Sequence, residues 1–251
     1  MNNSVRKLQK KAWEVLTREE IGFLLSWETS SRLSQQIYTL KWQGILTSIR
    51  NGLYYVQGEN PLTLEQILHA HYWMIAKKII TEQAGREAII GSEKALELHL
   101  RDTLPPEILI VYTPFLTARV TLSERYTIHF RTLKTGAKTA KKNAFSLLRG
   151  TSEKVEIDGE SFLILSRESA LLDSLTIRTH AEGITDALIL RFLKRFSGAL
   201  SHEELARIVQ YRSIRAINRL RSLTKKAWYE VLYQMTLDII KREWWGCFVT
   251  V

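Results

Sequence analysis

Arg32 and Gln35 carry the most specific recognition chemistry in the chain. Arginine can bond guanine, and glutamine can bond adenine, through paired hydrogen bonds to the base edge. On a helix their spacing places them on one face with Thr39, flanked by Ser31, Tyr38 and Trp42. The hydroxyls of Ser31, Tyr38 and Thr39 can reach bases or phosphates. The Lys41 ammonium suits a phosphate, and Arg50, a little further on, suits the backbone as well. Ser31, Arg32, Gln35, Tyr38, Thr39, Lys41 and Arg50 are therefore the candidate DNA-binding residues. The same residue types often do no more than solvate a surface, so the frame that holds them matters.

That frame is legible. Leu33, Ile37, Leu40 and Gly44 repeat at helical spacing and form the apolar face opposite the polar one. Ser31 can cap the helix, since its hydroxyl can accept from a free first-turn N–H. Gly44 can end it by taking the left-handed conformation. The runs ILTSIR and LYYV then flank Asn51-Gly52, a strong hairpin signal, because that turn asks both residues for positive φ. Upstream, Val5, Leu8, Ala12 and Val15 predict a first helix, and Thr17-Arg-Glu-Glu20 is a capping box that opens a second. Three short helices and a hairpin within residues 1–58 make the order of a winged helix-turn-helix: recognition helix in the major groove, wing along the backbone.

Composition agrees with a polyanionic partner. The chain has 251 residues, a net charge of +10 and a pI near 9.7. Its apolar content of 45% is enough for real cores. One cysteine, Cys247, excludes an internal disulfide framework and a multi-cysteine zinc site. No apolar run approaches the roughly 20 residues of a membrane span, and MNNSVRKLQKKAW lacks a signal-peptide core. A cytoplasmic protein with no membrane partner is expected.

Beyond Gly58-Glu-Asn-Pro61, residues 59–84 read as a helical connector. His69 and His71 are too close in sequence to face one metal from a helix, so both read as surface or packing residues. Residues 85–180 read as α/β, with strands at Glu87–Ile90, Ile108–Tyr112, Arg119–Leu122 and Tyr126–Leu133. A hairpin follows at Val155–Ile164, turned by Asp158-Gly159. Lys134, Lys138, Lys141 and Lys142 lie in an expected basic loop. Residues 181–251 read as helical, with Arg212, Arg215 and Arg219 on one face. These two basic sets are candidate contacts for nucleic acid or an acidic partner; for the arginines a solvated face is an equal reading.

Catalytic patterns are sparse. There is no phosphate-cradling glycine loop, no nucleophile elbow and no His/Cys set with metal spacing. Ile89-Ile-Gly91-Ser92, with the helix after it, resembles the opening of a nucleotidyltransferase fold. In those enzymes the next strand bears two carboxylates that hold the metal ions. Here Glu107 stands alone and Leu109 occupies the second place, although two-metal chemistry needs convergent carboxylates. A non-catalytic core is expected, with no cofactor and no metal.

The order of parts resembles the AbiEi family, antitoxins and transcriptional regulators of abortive-infection type IV toxin–antitoxin systems. The residues that carry the resemblance are Gly44-Ile-Leu-Thr-Ser-Ile-Arg50-Asn-Gly52-Leu-Tyr54, Gly91-Ser-Glu-Lys-Ala-Leu-Glu-Leu-His99 and Ser169-Ala-Leu-Leu-Asp173. It spans about residues 5 to 180. The resemblance implies repression of the chain's own operon through operator DNA. It also implies opposition to a nucleotidyltransferase-like toxin without a stable complex. The helical extension after about residue 181 departs from the family pattern. The expected fold is α+β in four parts: a winged helix at 1–58, a connector at 59–84, an antitoxin-type α/β domain at 85–180 resembling a degenerate nucleotidyltransferase core, and a helical region at 181–251. The alternative from the residues is a non-catalytic adaptor that uses the winged helix to bind RNA or protein.

Overall fold

The computed structural model describes residues 3–26, 30–132, 141–176, 186–209 and 214–246. It is mixed α+β and divides into two compact units, Met1–Lys78 with Thr121–Tyr126, and Ile79–Val120 with Thr127–Val251. Among the described residues no helix is long and apolar enough to cross a membrane.

The first unit runs α1 (Asn3–Gln9), β1 (Val15–Thr17), α2 (Arg18–Leu25), α3 (Ser30–Trp42), β2 (Leu46–Arg50), β3 (Leu53–Val56) and α4 (Leu64–Ala70), with α5 (Tyr72–Ala84) leading out of it. Its sheet has the order β1-β3-β2, so β3 is central and buried along its length. Val15 is a correction to the expected first helix. It pairs with Tyr55 in an antiparallel ladder, and Trp13 N–H donates to the Val56 carbonyl at 2.9 Å. Periodicity alone does not reveal this, because the partner strand lies far along the chain.

The capping box forms as expected. The Thr17 hydroxyl accepts from the Glu20 N–H at 3.2 Å, and Glu20 accepts from the Thr17 N–H at 2.7 Å. Leu33, Ile37 and Leu40 turn into a core with Leu8, Ile21 and Leu46. Gly44 ends α3 at φ +72°, where its N–H reaches the Lys41 carbonyl and Ile45 N–H reaches that of Leu40. This paired closure is the Schellman motif. Ser31 lies inside the first turn of α3, which begins at Ser30, so the expected cap is displaced. Several neighbouring hydroxyl residues compete for that role, and their types do not choose among them.

The β2–β3 hairpin forms with a different turn. Gly52 takes φ +82°, Asn51 is not left-handed, and the register slips between Ser48 and Arg50. The irregularity lies at Ile49 within β2, while Asn51 and Gly52 remain the two residues between the paired Arg50 and Leu53, in a turn with positive φ at the second position alone. The helix expected after Thr63 is two helices broken at His71, whose φ is −122°.

The second unit contains β4 (Ile89–Ile90), α6 (Ser92–His99), β5 (Ile108–Tyr112), β6 (Ala118–Thr121), β7 (Thr127–Arg131), α7 (Lys141–Thr151), β8 (Glu153–Ile157), β9 (Glu160–Ile164) and α8 (Arg167–Thr176). Helices α9 (Asp186–Phe196), α10 (His202–Val209), α11 (Ile214–Lys226) and α12 (Glu230–Gly246) follow among the described residues. Its six-stranded sheet has the order β6-β7-β5-β4-β9-β8 and is mixed, with β4 antiparallel to β5 and parallel to β9. Here Asp158 and Gly159 both take positive φ, 50° and 78°, and close the tight turn that their sequence predicts.

Two features redraw the four-part expectation. Residues 59–78 fall in the first compact unit. The C-terminal helices also share one core with the α/β part: Leu171, Leu172 and Leu175 of α8 cluster with Phe192, Ile217 and Leu232.

Candidate nucleic-acid interface

The geometry of α3 sorts its residues cleanly. Leu33, Ile37 and Leu40 are buried, whereas Ser31, Arg32, Gln35, Tyr38 and Lys41 are exposed. Tyr38 is 71% exposed and Trp42 83%, so both rings lie open to solvent on or beside that face. Thr39 is half-buried, and its hydroxyl donates to the Gln35 carbonyl at 3.0 Å. Its polar atom thus serves its own helix. Arg50 ends β2 and is half-buried.

Arg18 belongs beside this set, although its type and spacing did not single it out. Its guanidinium donates to Ser34 Oγ on α3 at 2.6 Å, and its backbone N–H donates to the Gly52 carbonyl at 2.9 Å. One residue therefore ties the exposed helix to the hairpin turn. The available signal was the capping box, which places Arg18 first in α2. What was missing was the strand β1 just before it.

The α2 helix is held from both sides. Gly22 lies so close to α3 that an added Cβ would sit 3.1 Å from a Leu33 methyl. At its first turn, Glu20 pairs with Lys78 of α5 at 2.7 Å. Burial alone would push the Glu20 carboxyl up. The bonds from Lys78 and Thr17 together outweigh that and hold it below its ordinary value.

Of the two histidines, His71 packs and His69 lies at the surface. His71 Nε2 lies 3.0 Å from the buried Tyr55 hydroxyl with the rings 5.1 Å apart, and His69 sits on the exposed face of α4.

The other basic candidates divide. Lys134, Lys138 and Arg212 lie outside the described residues. Lys141 and Lys142 open helix α7, so the expected loop is helical from there, and their side chains are outside the described set. Arg215 is exposed on α11. Arg219 turns inward, its guanidinium donating to the Leu175 carbonyl at the end of α8. There it supplies a donor to a helix C-terminus and does not extend a solvent-facing stripe.

In the second unit the Gly91-Ser92 turn and the Ser169–Asp173 segment meet. Asp173 is fully buried. It accepts from the Ser92 backbone N–H at 2.9 Å and from the Tyr112 hydroxyl at 2.8 Å. A Cβ on Gly91 would lie 2.3 Å from the Tyr112 ring and 3.2 Å from Asp173 Oδ2, so only glycine fits. The positive end of α6 is thereby occupied by the chain's own carboxylate. Leu109 is fully buried, and among the described residues no three His, Cys, Asp or Glu side chains gather as metal ligands.

No family model matches the chain, and no curated protein matches it. Among solved structures, the crystal structure of the RV2827C protein from Mycobacterium tuberculosis is similar, with a TM-score of 0.60 at 16% sequence identity. The match covers 92% of this chain and 79% of that one. At such identity the likeness concerns the fold.

Proposed function

We propose that the chain is a DNA-binding transcriptional repressor whose first unit works as a winged helix-turn-helix, with α3 read into the major groove and the β2–β3 hairpin as the wing. One observation carries the reading. The face of α3 opposite Leu33, Ile37 and Leu40 offers Ser31, Arg32, Gln35, Tyr38 and Lys41 to solvent, and Arg18 links that helix to the hairpin turn. Arg32 and Gln35 read bases; Lys41 and Arg50 meet phosphates. The net charge of +10 favours such a partner.

The AbiEi resemblance extends this to the antitoxin of a type IV system that represses its own operon and counters a nucleotidyltransferase-like toxin. The second unit is then a degenerate nucleotidyltransferase core without catalysis. Support comes from Asp173, whose carboxylate fills the helix end that would otherwise receive a phosphate, and from Leu109 in place of a second metal-binding carboxylate. The protein works in the cytoplasm on this reading.

A salt-titrated mobility shift with duplex from the chain's own promoter, against scrambled duplex, tests the proposal. Preference of about a hundredfold or more, roughly 2.7 kcal/mol, is the expected result. Equal binding to both duplexes would demote the first unit to a docking module. The exposed rings of Tyr38 and Trp42 favour that second reading, an adaptor for RNA or protein, because such rings stack on unpaired bases or anchor interfaces.

A further inference from the structure

A cleft of ≈ 750 Å³ opens in the second unit between residues 100–104 and helix α9, where Arg191, Lys194 and Arg195 line its wall. The volume falls in the range of small-ligand sites. Four cations face it, Arg101 being the fourth, against one carboxylate, Asp102. Asp102 lies 3.6 Å from Arg191, and Arg195 stacks over the Phe196 ring at 5.4 Å. The side chains of Arg101 and Lys194 make no hydrogen bond or ion pair among the described residues.

Arg101 adds a second, independent sign. It closes α6 at φ +65°, with its N–H on the Leu98 carbonyl and Asp102 N–H on that of Glu97. This is the closing position where glycine is favoured, because an L side chain there crowds its own backbone. An arginine at that position costs the fold stability and delivers its guanidinium to the mouth of the cleft. Helix α9 does the rest by amphipathicity, with Leu188, Ile189, Phe192 and Leu193 buried and its basic residues turned out.

We infer that this cleft binds a phosphate-bearing ligand of nucleotide size, its phosphates on Arg101, Arg191 and Lys194. Leu100 and the 67% exposed Leu104 offer apolar contact for a base. Asp102, whose Oδ1 accepts from the Leu104 N–H at 3.3 Å and whose Oδ2 faces Arg191, keeps further lone pairs to accept from a sugar hydroxyl or an amino group. An open cleft with four cations on a short wall and two leucines fits a mononucleotide better than a continuous strand, whose binding needs a longer track of charge.

The test is calorimetric titration of the full chain with each nucleoside triphosphate, with inorganic triphosphate, with sulfate at matched ionic strength, and with a single-stranded oligonucleotide. A single saturable site for at least one nucleoside triphosphate, with Kd below about 100 µM, is expected. Lys194→Glu should weaken it at least about tenfold, as loss of a charge-assisted bond does. The same charge change at Lys154→Glu, exposed on β8 and outside the cleft, should leave it unchanged. Arg101→Gly is the sharper variant. It should melt at or above the parent temperature, because the strained position is relieved, and still bind at least several-fold more weakly. No saturable nucleotide binding would overturn the inference. So would parent-like binding by Arg101→Gly, binding matched by sulfate, or tighter binding of the oligonucleotide on the same residues. None of these results bears on duplex binding by α3, which the mobility shift reads separately.

Discussion

A residue can be useful in two ways in this chain: by what it offers to solvent, or by what it satisfies inside. Arg32 and Lys41 are both exposed on α3 and differ in chemistry. Arg32→Ala is expected to relax base preference at one operator position, at a cost of about 1–3 kcal/mol for the preferred sequence. Lys41→Ala should weaken all sequences alike and lower the salt slope by about one. Mobility shifts at several salt concentrations separate the two, and identical profiles for both variants would count against α3 as the reading helix. Asp173 is the inward case. Asp173→Ala removes the acceptor that the buried Ser92 N–H and Tyr112 hydroxyl share, and should cost about 2–5 kcal/mol in urea unfolding. Adding Tyr112→Phe should recover part of that loss, because one of the two donors that lost this acceptor is then removed.

At the scale of elements, α2 decides how α3 stands. Gly22 lets the two helices approach, so Gly22→Leu must force Leu33 aside; a loss of about 1–3 kcal/mol is expected, together with loss of duplex preference. Retained preference in a folded Gly22→Leu protein would show that α3 does not depend on this contact. The Glu20–Lys78 pair ties α2 to α5 and makes that tie sensitive to acid. The folded carboxyl titrates below its ordinary 4.5. Its contribution is therefore complete above that pH and fades as the pH falls through the still lower folded value. The pair is partly exposed, so the effect should be under about 1 kcal/mol. Melting curves from about pH 6 to pH 3 should show a shallower acid limb for Glu20→Gln than for the parent.

At the scale of the molecule, the C-terminal helices are part of the second unit's core. Leu171, Leu172 and Leu175 of α8 are fully buried in the cluster that includes α9, α11 and α12. Each buried leucine contributes about 1.5–3 kcal/mol, against a usual net stability of about 5–15 kcal/mol. A chain ending at Thr176 should therefore fail to fold its second unit cooperatively. Dye binding to exposed apolar surface, with loss of a sharp thermal transition, would mark that outcome; a cooperative transition equal to that of the full chain would refute it.

What the residues decided by themselves is local. The Thr17–Glu20 capping box, the stop at Gly44, the apolar stripe of α3 and the Asp158-Gly159 turn each depend on neighbours within a few positions. Such features follow from side-chain type and spacing alone, which is why they were readable. The β2–β3 turn was half readable: Gly52 takes the positive φ expected of it, but the register slip between Ser48 and Arg50 is set by how β2 pairs with β3. Everything that joins distant segments needed the tertiary structure. Val15 became a strand residue because β3 offered it free backbone groups, and Arg18 reached α3 and the hairpin turn together only through that ladder. Asp173 found Ser92 and Tyr112 across the second unit, Arg219 turned to the end of α8, and Arg101 came to face α9. No periodicity encodes those meetings, because hydrogen bonds and burial between remote segments are satisfied only once the chain has closed on itself.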